Sequence, residues 1–226
     1  MTNISEIINE VSTVKAVDLS YEANRDERDY LGLSQAGHKC KRWCWYKHHG
    51  CQGKQIEGRI LRLFQMGNLV EKQMMFDLAQ AGVSITQDQK SVSFDYDDIT
   101  LRGHIDGVIT GLIESQQPHL FEAKSMNDKG FKKLLKNGYE AYNDQYKFQI
   151  HAYALALNLS NIYVLVYNKN DSTLYQERIK LKKEWIINKL QEVFVAISGD
   201  IPGRTCPRVD FWEAKWCDFY RECWEL

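Results

Sequence analysis

Leu101-Arg102-Gly103-His104-Ile105-Asp106-Gly107-Val108-Ile109 and His119-Leu120-Phe121-Glu122-Ala123-Lys124 are the two runs on which the fold turns. The first alternates and closes on Val-Ile. The second is a short apolar run broken by Glu122 and Lys124. Both read as strands. A carboxylate inside a buried strand is costly unless it is paired or binds a cation. Glu122 and Lys124 lie two apart, so on a strand they share a face. Asp106 falls on a neighbouring strand, across a turn near residues 114–118. Two carboxylates and an ammonium on paired strands outline a hard-metal site. A charged edge strand has a similar composition, so the surrounding chain has to separate the two readings.

The chain has 226 residues, enough for one domain or one domain with appendages. A hydrophobic fraction of 44% with only 3 prolines argues for an ordered core. No run of apolar residues is long enough to span a membrane, and the N-terminus has no basic and apolar signal pattern. A cytoplasmic protein is expected. The net charge of -1 does not announce a nucleic-acid binder. The charge is uneven, however: Lys39, Lys41, Arg42, Lys47, Lys54, Arg59 and Arg62 stand against Glu57 alone, while residues 88–98 are acidic. A basic face beside an acidic pocket suits an enzyme acting on DNA; a solvated helix face has the same composition.

Outward from the two strands, residues 1–20 read as a short helix with Ile4, Ile7, Ile8 and Val11 at helical spacing, followed by loop. Ser34 is a candidate helix cap. Residues 55–81 form the longest helical pattern, with Ile56, Ile60, Leu63, Phe64, Val70, Met74, Met75 and Leu78 as its apolar stripe and Gly82 as its stop. Glu71 falls on or beside that stripe, where a lone carboxylate is unusual. Residues 83–96 and 99–109 read as a meander. Residues 129–137 and 139–159 read as helices, the second carrying Tyr146, Gln149 and Tyr153 on one face. Strands at 161–167 and 174–179 and a helix at 181–197 follow, then an irregular tail. The order predicts an α/β fold, an α/β/α sandwich with a mixed central sheet.

Taken in order, Gly67-x-x-x-Glu71, Gly103-x-x-Asp106, Glu122-x-Lys124 and Gln149-x-x-x-Tyr153 resemble the PD-(D/E)xK superfamily, in its RecB-like branch of phage-type exonucleases. Ser34-x-x-Gly-His-x-Cys40-x-Arg42 resembles the entry segment of these enzymes. The resemblance covers residues 31–226 and implies a restriction-endonuclease-like core. It divides the chain into an N-terminal extension (1–30), a nuclease domain (31–200) and a cysteine-rich tail packing on the N-terminal segment (201–226). It implies a DNA exonuclease using Mg²⁺ or Mn²⁺ in phage or mobile-element recombination, repair or processing. Asp106, Glu122, the Ala123 carbonyl and Glu71 would hold the metal. Lys124 would orient the attacking water and help to deprotonate it, with Gln149 and Tyr153 positioning it or the DNA backbone. Arg42, Lys132, Lys133 and Tyr146 would contact DNA. Where the branch often has a histidine after the helix glycine, this chain has Asn68. A DNA-binding or inhibitory protein on the same fold, and a CRISPR-adaptation-type end-trimming nuclease, are the alternatives. The implied partner is DNA, with no membrane; a homo-oligomer or a recombination partner protein stays open. The implied location is the cytoplasm, the host's if the protein is phage-encoded.

The six cysteines lie at the two ends: Cys40, Cys44 and Cys51, then Cys206, Cys217 and Cys223. In a cytosolic chain this distribution points to a thiolate site where the ends meet. Some RecB-like nucleases carry a [4Fe-4S] cluster on one early and three late cysteines, which the resemblance maps onto Cys40, Cys206, Cys217 and Cys223. The interval from Cys217 to Cys223 matches that pattern, whereas the family's remaining cysteine position is Ala214 here. A four-cysteine Zn²⁺ site and unligated buried thiols are the other readings.

Overall fold

The computed structural model describes residues 12–24 and 30–225. The expected helical segment around Ile4 to Val11 lies outside the described residues. Helix α1 (Thr13–Ala23) starts on Ser12, whose hydroxyl accepts from Lys15 N–H (3.1 Å). It runs three residues into the stretch expected as loop. Two short helices follow, α2 (Leu33–Ala36) and α3 (Lys41–His48), and then the long helix α4 (Gly58–Gln80). Gly32, not Ser34, precedes α2 at the cap position. Past α4, Gly82 turns the chain with φ +80°.

The strands are β1 (Ser84–Thr86), β2 (Ser91–Tyr96), β3 (Ile99–His104), β4 (Gly107–Thr110), β5 (His119–Met126), β6 (Asn161–Asn168) and β7 (Leu174–Lys180). Five form one mixed sheet in the order β1-β4-β5-β6-β7, with β5 and β6 parallel and the other neighbours antiparallel. The remaining two, β2 and β3, pair as a separate ribbon.

The expected meander is therefore cut twice. Gln87 and Gln89, both at positive φ, turn the chain between β1 and β2. Between β3 and β4, the chain leaves the ribbon at Ile105 and enters the main sheet at Gly107. There φ is +153°, and a Cβ would meet Ile85 at 2.5 Å. Asp106 occupies this switch between two sheets, not the interior of a strand.

The parallel β5–β6 pair needs a crossover, and three helices supply it: α5 (Asp128–Asn137), α6 (Tyr139–Tyr142) and α7 (Asp144–Ala156). The single helix expected over 139–159 is broken because Asn143 is extended and caps α7, accepting from Gln145 N–H (2.8 Å) and Tyr146 N–H (3.1 Å). Leu120, Ile162, Val164 and Val166 belong to a core shared with α7 and with α8 (Lys183–Ser198). Phe121, Ala123, Tyr163 and Leu165 form a smaller core on α4. Alternation along β5 and β6 thus gives each sheet face its own helical layer.

Only part of the α4 stripe enters that smaller core. Met74 is buried, and Val70, Met75 and Leu78 pack beside it, whereas Leu63 and Phe64 remain 45% and 55% exposed. The first half of α4 meets α1 instead of the sheet. Arg62 pairs with Asp18 (2.6 Å), Gly58 N–H donates to Glu22 (2.7 Å), and a Cβ on Gly58 would meet the Asp18 carbonyl at 2.1 Å.

The tail carries α9 (Trp212–Lys215) and α10 (Tyr220–Trp224). It is tied to the α3 region by Lys54 N–H to the Asp218 carbonyl (2.7 Å), Trp43 to the Asp218 carboxylate (3.1 Å) and Tyr46 to the Glu222 carbonyl (2.9 Å). Phe219 packs between the rings of Trp43 and Tyr46, a burial worth about 1.5–3 kcal/mol.

Candidate active site

The side chain of Glu122 is completely buried in the middle of β5. Its Oε1 accepts from the ammonium of Lys124, two residues on along the same face, and from Gln149 Nε2 (2.8 Å). Its Oε2 has no partner among the described residues. Burial, with repulsion from Asp106 and Glu71, pushes Glu122 up to about 8 against the pull of Lys124. Burial would lower Lys124, but Glu122, Tyr139 and Asp106 together outweigh it and hold the ammonium well above its usual range. Lys124 is accordingly a donor here, which favours the orienting role over deprotonation.

Asp106 reaches the same place from the switch into β4. The β4–β5 register sets Gly107 against Phe121, and Asp106 Oδ2 accepts from Ala123 N–H (2.8 Å). Burial raises the pKa of Asp106, and Lys124 opposes that shift. Glu71 approaches from α4, in the other layer. It is half-buried, accepts from Gln89 Nε2 (3.2 Å), and is pushed up to about 7 by burial and by Asp106. Three carboxylates and one lysine thus act on one another with an excess of negative charge. A divalent cation with oxygen ligands relieves such an arrangement, and the donor set is of the hard type Mg²⁺ and Mn²⁺ take. Among the described residues, no three His, Cys, Asp or Glu side chains close on a common point as they stand.

The cap at Asn143 sets the phase of α7 so that Gln149 faces Glu122. Tyr153, buried on the same helix, is directed to the ribbon: it bonds the side chain of Ser34, and its hydroxyl lies 2.5 Å from where a Cβ on Gly103 would be. Gly103 is what lets β3 approach. Tyr146 is half-buried beneath Lys124, whose Nζ is 5.7 Å from the ring centre, and stacks on Tyr139 (5.9 Å, 21°) and Tyr142 (6.1 Å, 23°). Lys133 lies 4.9 Å over Tyr142. Lys132 stands apart, paired with Asp128 (2.8 Å) on the surface. Asn68 is exposed on α4.

Apart from these residues, Cys40, Cys206, Cys217 and Cys223 line one cavity of about 30 Å³. Ala214 lines it too, so the irregular spacing brings Cys206 there by a longer path. Cys44 is buried elsewhere, against the Ala36 carbonyl (3.8 Å), and Cys51 is not part of the lining. Burial raises the thiols of Cys206 and Cys217, the latter to about 11. Arg42 and Arg204 border the cavity. Arg42 donates to Tyr46 (3.0 Å) on α3 and to the Pro202 carbonyl (3.0 Å) of the tail. The four cysteines share this lining, but among the described residues no three of their thiols close on a common point as they stand; were four thiolates to hold a metal group here, the two guanidinium groups would offset its net negative charge.

No protein-family model matches this chain, and no curated protein matches it in sequence. Among solved structures the fold is similar to that of SSO0001, at 14% identity over 98% of this chain and 96% of that one, with a TM-score of 0.50. That likeness shows the fold. Two further matches are an alkaline exonuclease, LHK-Exo from Laribacter hongkongensis, and its complex with dAMP. They cover 60% and 59% of this chain and 66% of theirs, at 16% and 14% identity with TM-scores of 0.46 and 0.44.

Sequence reasoning missed Asp88, whose charge acts on Glu71 and Asp106 from the β1–β2 turn, and Gln89, which bonds Glu71. The run Thr86-Gln-Asp-Gln gave no motif; its signal is a turn that packs beside the switch. It also missed Tyr139, whose ring supports Tyr146.

Proposed function

We propose that this protein is a metal-dependent deoxyribonuclease that hydrolyses phosphodiester bonds. The single observation that carries the reading is that Asp106, Glu122 and Lys124 lie together on β5 and the switch into β4, with Glu71 in electrostatic reach from α4: carboxylates whose burial and mutual repulsion call for a cation, beside an ammonium that stays charged. Asp106 and Glu122, with Glu71 and the Ala123 carbonyl, would hold Mg²⁺ or Mn²⁺. When bound, the ion supplies charge neutralisation at the scissile phosphate. Lys124 orients the attacking water and offsets charge that develops on the phosphate. Gln149 holds Glu122 in its rotamer, and Tyr153 fixes the ribbon against α7. Tyr146 and Lys133 present an aromatic and cationic surface beside the pocket, suited to a nucleic-acid strand. The reaction class is an exonuclease acting on DNA ends, in recombination, repair or processing of phage or mobile-element DNA.

The cysteine cavity adds a four-thiolate group, a [4Fe-4S] cluster or Zn²⁺, that staples the tail to α3. Protein purified without oxygen separates the two: brown colour with broad absorbance and bound iron gives the cluster, a colourless protein with stoichiometric zinc gives the ion, and neither removes the group.

Incubation with end-labelled single- and double-stranded DNA tests the activity. Cleavage with Mg²⁺ or Mn²⁺ that stops with EDTA and is lost in Asp106→Ala is the expected result. Equal behaviour of wild type and Asp106→Ala would show the site assignment to be wrong. Metal-dependent DNA binding with no cleavage at ends or flaps would favour a binding protein on this fold.

A further inference from the structure

Tyr139 is the first residue of α6, directly after the Gly138 turn at φ +76°. Its position is over-determined. The backbone N–H donates to Glu177 on β7 (2.8 Å), and the ring stacks on Tyr146, which lies under Lys124. The residue has no exposed surface, yet its hydroxyl has no hydrogen-bond partner among the described residues. Glu122 and Lys124 are the charged groups that act on it most strongly.

An unpaired buried hydroxyl is a net cost, and phenylalanine would fill the same space without it. The second unpaired oxygen in this neighbourhood is Glu122 Oε2. The phenol donates, and Glu122 Oε2 accepts when ionised or donates when protonated. Each lacks what one water molecule supplies, since a water can accept from the first and either donate to or accept from the second.

We propose that the Tyr139 hydroxyl and Glu122 Oε2 hold one water between them, and that Tyr139 is a further positioning group for the water used in hydrolysis. This rests on the nuclease reading for its function, although not for the water site itself. Lys124 then approaches that water along the strand face it shares with Glu122, and Tyr139 approaches from the crossover between β5 and β6. The stack of Tyr139 on Tyr146 couples the water to the aromatic surface beside the pocket, so a strand seated on Tyr146 would find the water already in place.

The experiment is Tyr139→Phe, which removes one oxygen, read in two ways. A high-resolution crystal structure of wild type should show a solvent oxygen within hydrogen-bond reach of both Tyr139 Oη and Glu122 Oε2, and the variant should lose or displace it. No oxygen there in wild type overturns the proposal. In Mn²⁺-dependent cleavage, kcat should fall roughly 10-fold or more with KM unchanged, while the metal-free variant melts at the same temperature as wild type or higher. A lower melting temperature with kcat intact would make the hydroxyl structural and overturn the positioning role, as would no change in either. Should wild type cut no DNA, the nuclease reading fails by itself, and the crystal structure still decides the water.

Discussion

Glu122 and Lys124 reach their pocket from β5 and Asp106 from the switch that leads into the adjoining β4, whereas Cys40, Cys206, Cys217 and Cys223 reach theirs from the two ends of the chain. The first pocket works against stability. Its carboxylates are buried, mutually repelling and only partly paired, so folding without a cation has to tolerate them. The second works for it. It gathers a tail whose regular structure, among the described residues, amounts to two short helices, and a group held there by four thiolates, as proposed, would add its binding free energy to folding. The difference teaches which variants should lose chemistry and which should lose the fold.

The largest effect is expected from Glu122→Gln. It keeps the shape and removes the charge, so cleavage should fall by about 10²–10³-fold. The metal-free protein should be no less stable. The sign follows from the raised pKa: the stabilising, protonated form of Glu122 is fully present below the usual carboxylate range and is lost as pH rises through about 8. Thermal melts of the metal-free pair should therefore diverge as pH rises from the usual carboxylate range to about 8 and stay apart above it, with the variant the more stable. A variant that melts earlier at every pH would break the contrast.

The thiol pocket should respond the other way. Cys217→Ser should cost about 2 kcal/mol or more, roughly 4–8 °C in melting temperature for a chain of this size. Cleavage per folded molecule should stay close to wild type. An unchanged melting temperature would mean that the thiols hold nothing.

Gly103→Ala tests the seam between the ribbon and α7. The added methyl would stand 2.5 Å from the Tyr153 hydroxyl and 2.9 Å from its ring. Overpacking of this kind costs about 1–3 kcal/mol, readable by urea denaturation.

The smallest effect concerns a buried polar group that is satisfied. His151 accepts at Nδ1 from Lys182 N–H (3.2 Å), so its Nε2 donates to Glu140 (2.9 Å), and the neutral ring is fully bonded. Burial lowers its pKa against the pull of Glu140. The stability it contributes is present above about pH 6.5 and is lost as pH falls through the lowered folded-state value. The stability difference between wild type and His151→Gln should shrink on acidification below pH 6.5, by at most about 1.4 kcal/mol per pH unit. A difference that grows instead would contradict the bonding pattern.

Much of this was legible in the sequence, for reasons that differ by residue. Glu122 and Lys124 were readable because a period of two is local, and the parallel β5–β6 pair keeps both where alternation puts them. Gln149 was readable from helical spacing. Asp106 was placed in the right neighbourhood but on the wrong kind of element. The change of sheet at residues 105–107 depends on the bond from Ala123 and on Ile85 beside Gly107, neither of which is local. Only half of the α4 stripe enters the core, because periodicity gives an apolar face but not what covers it, and the first half of α4 meets α1 where the sheet does not reach. The unpaired oxygens of Tyr139 and Glu122 leave no mark in a sequence. The thiol cavity was foreshadowed only by the clustering of cysteines, since Cys206 arrives through an irregular loop.

The most direct test of the central claim is digestion of end-labelled DNA by wild type and Lys124→Ala in Mn²⁺, with DNA binding measured on the same preparations. The account predicts that the variant binds DNA as wild type does and loses cleavage by about 10²-fold or more. Equal cleavage by the two proteins would contradict it.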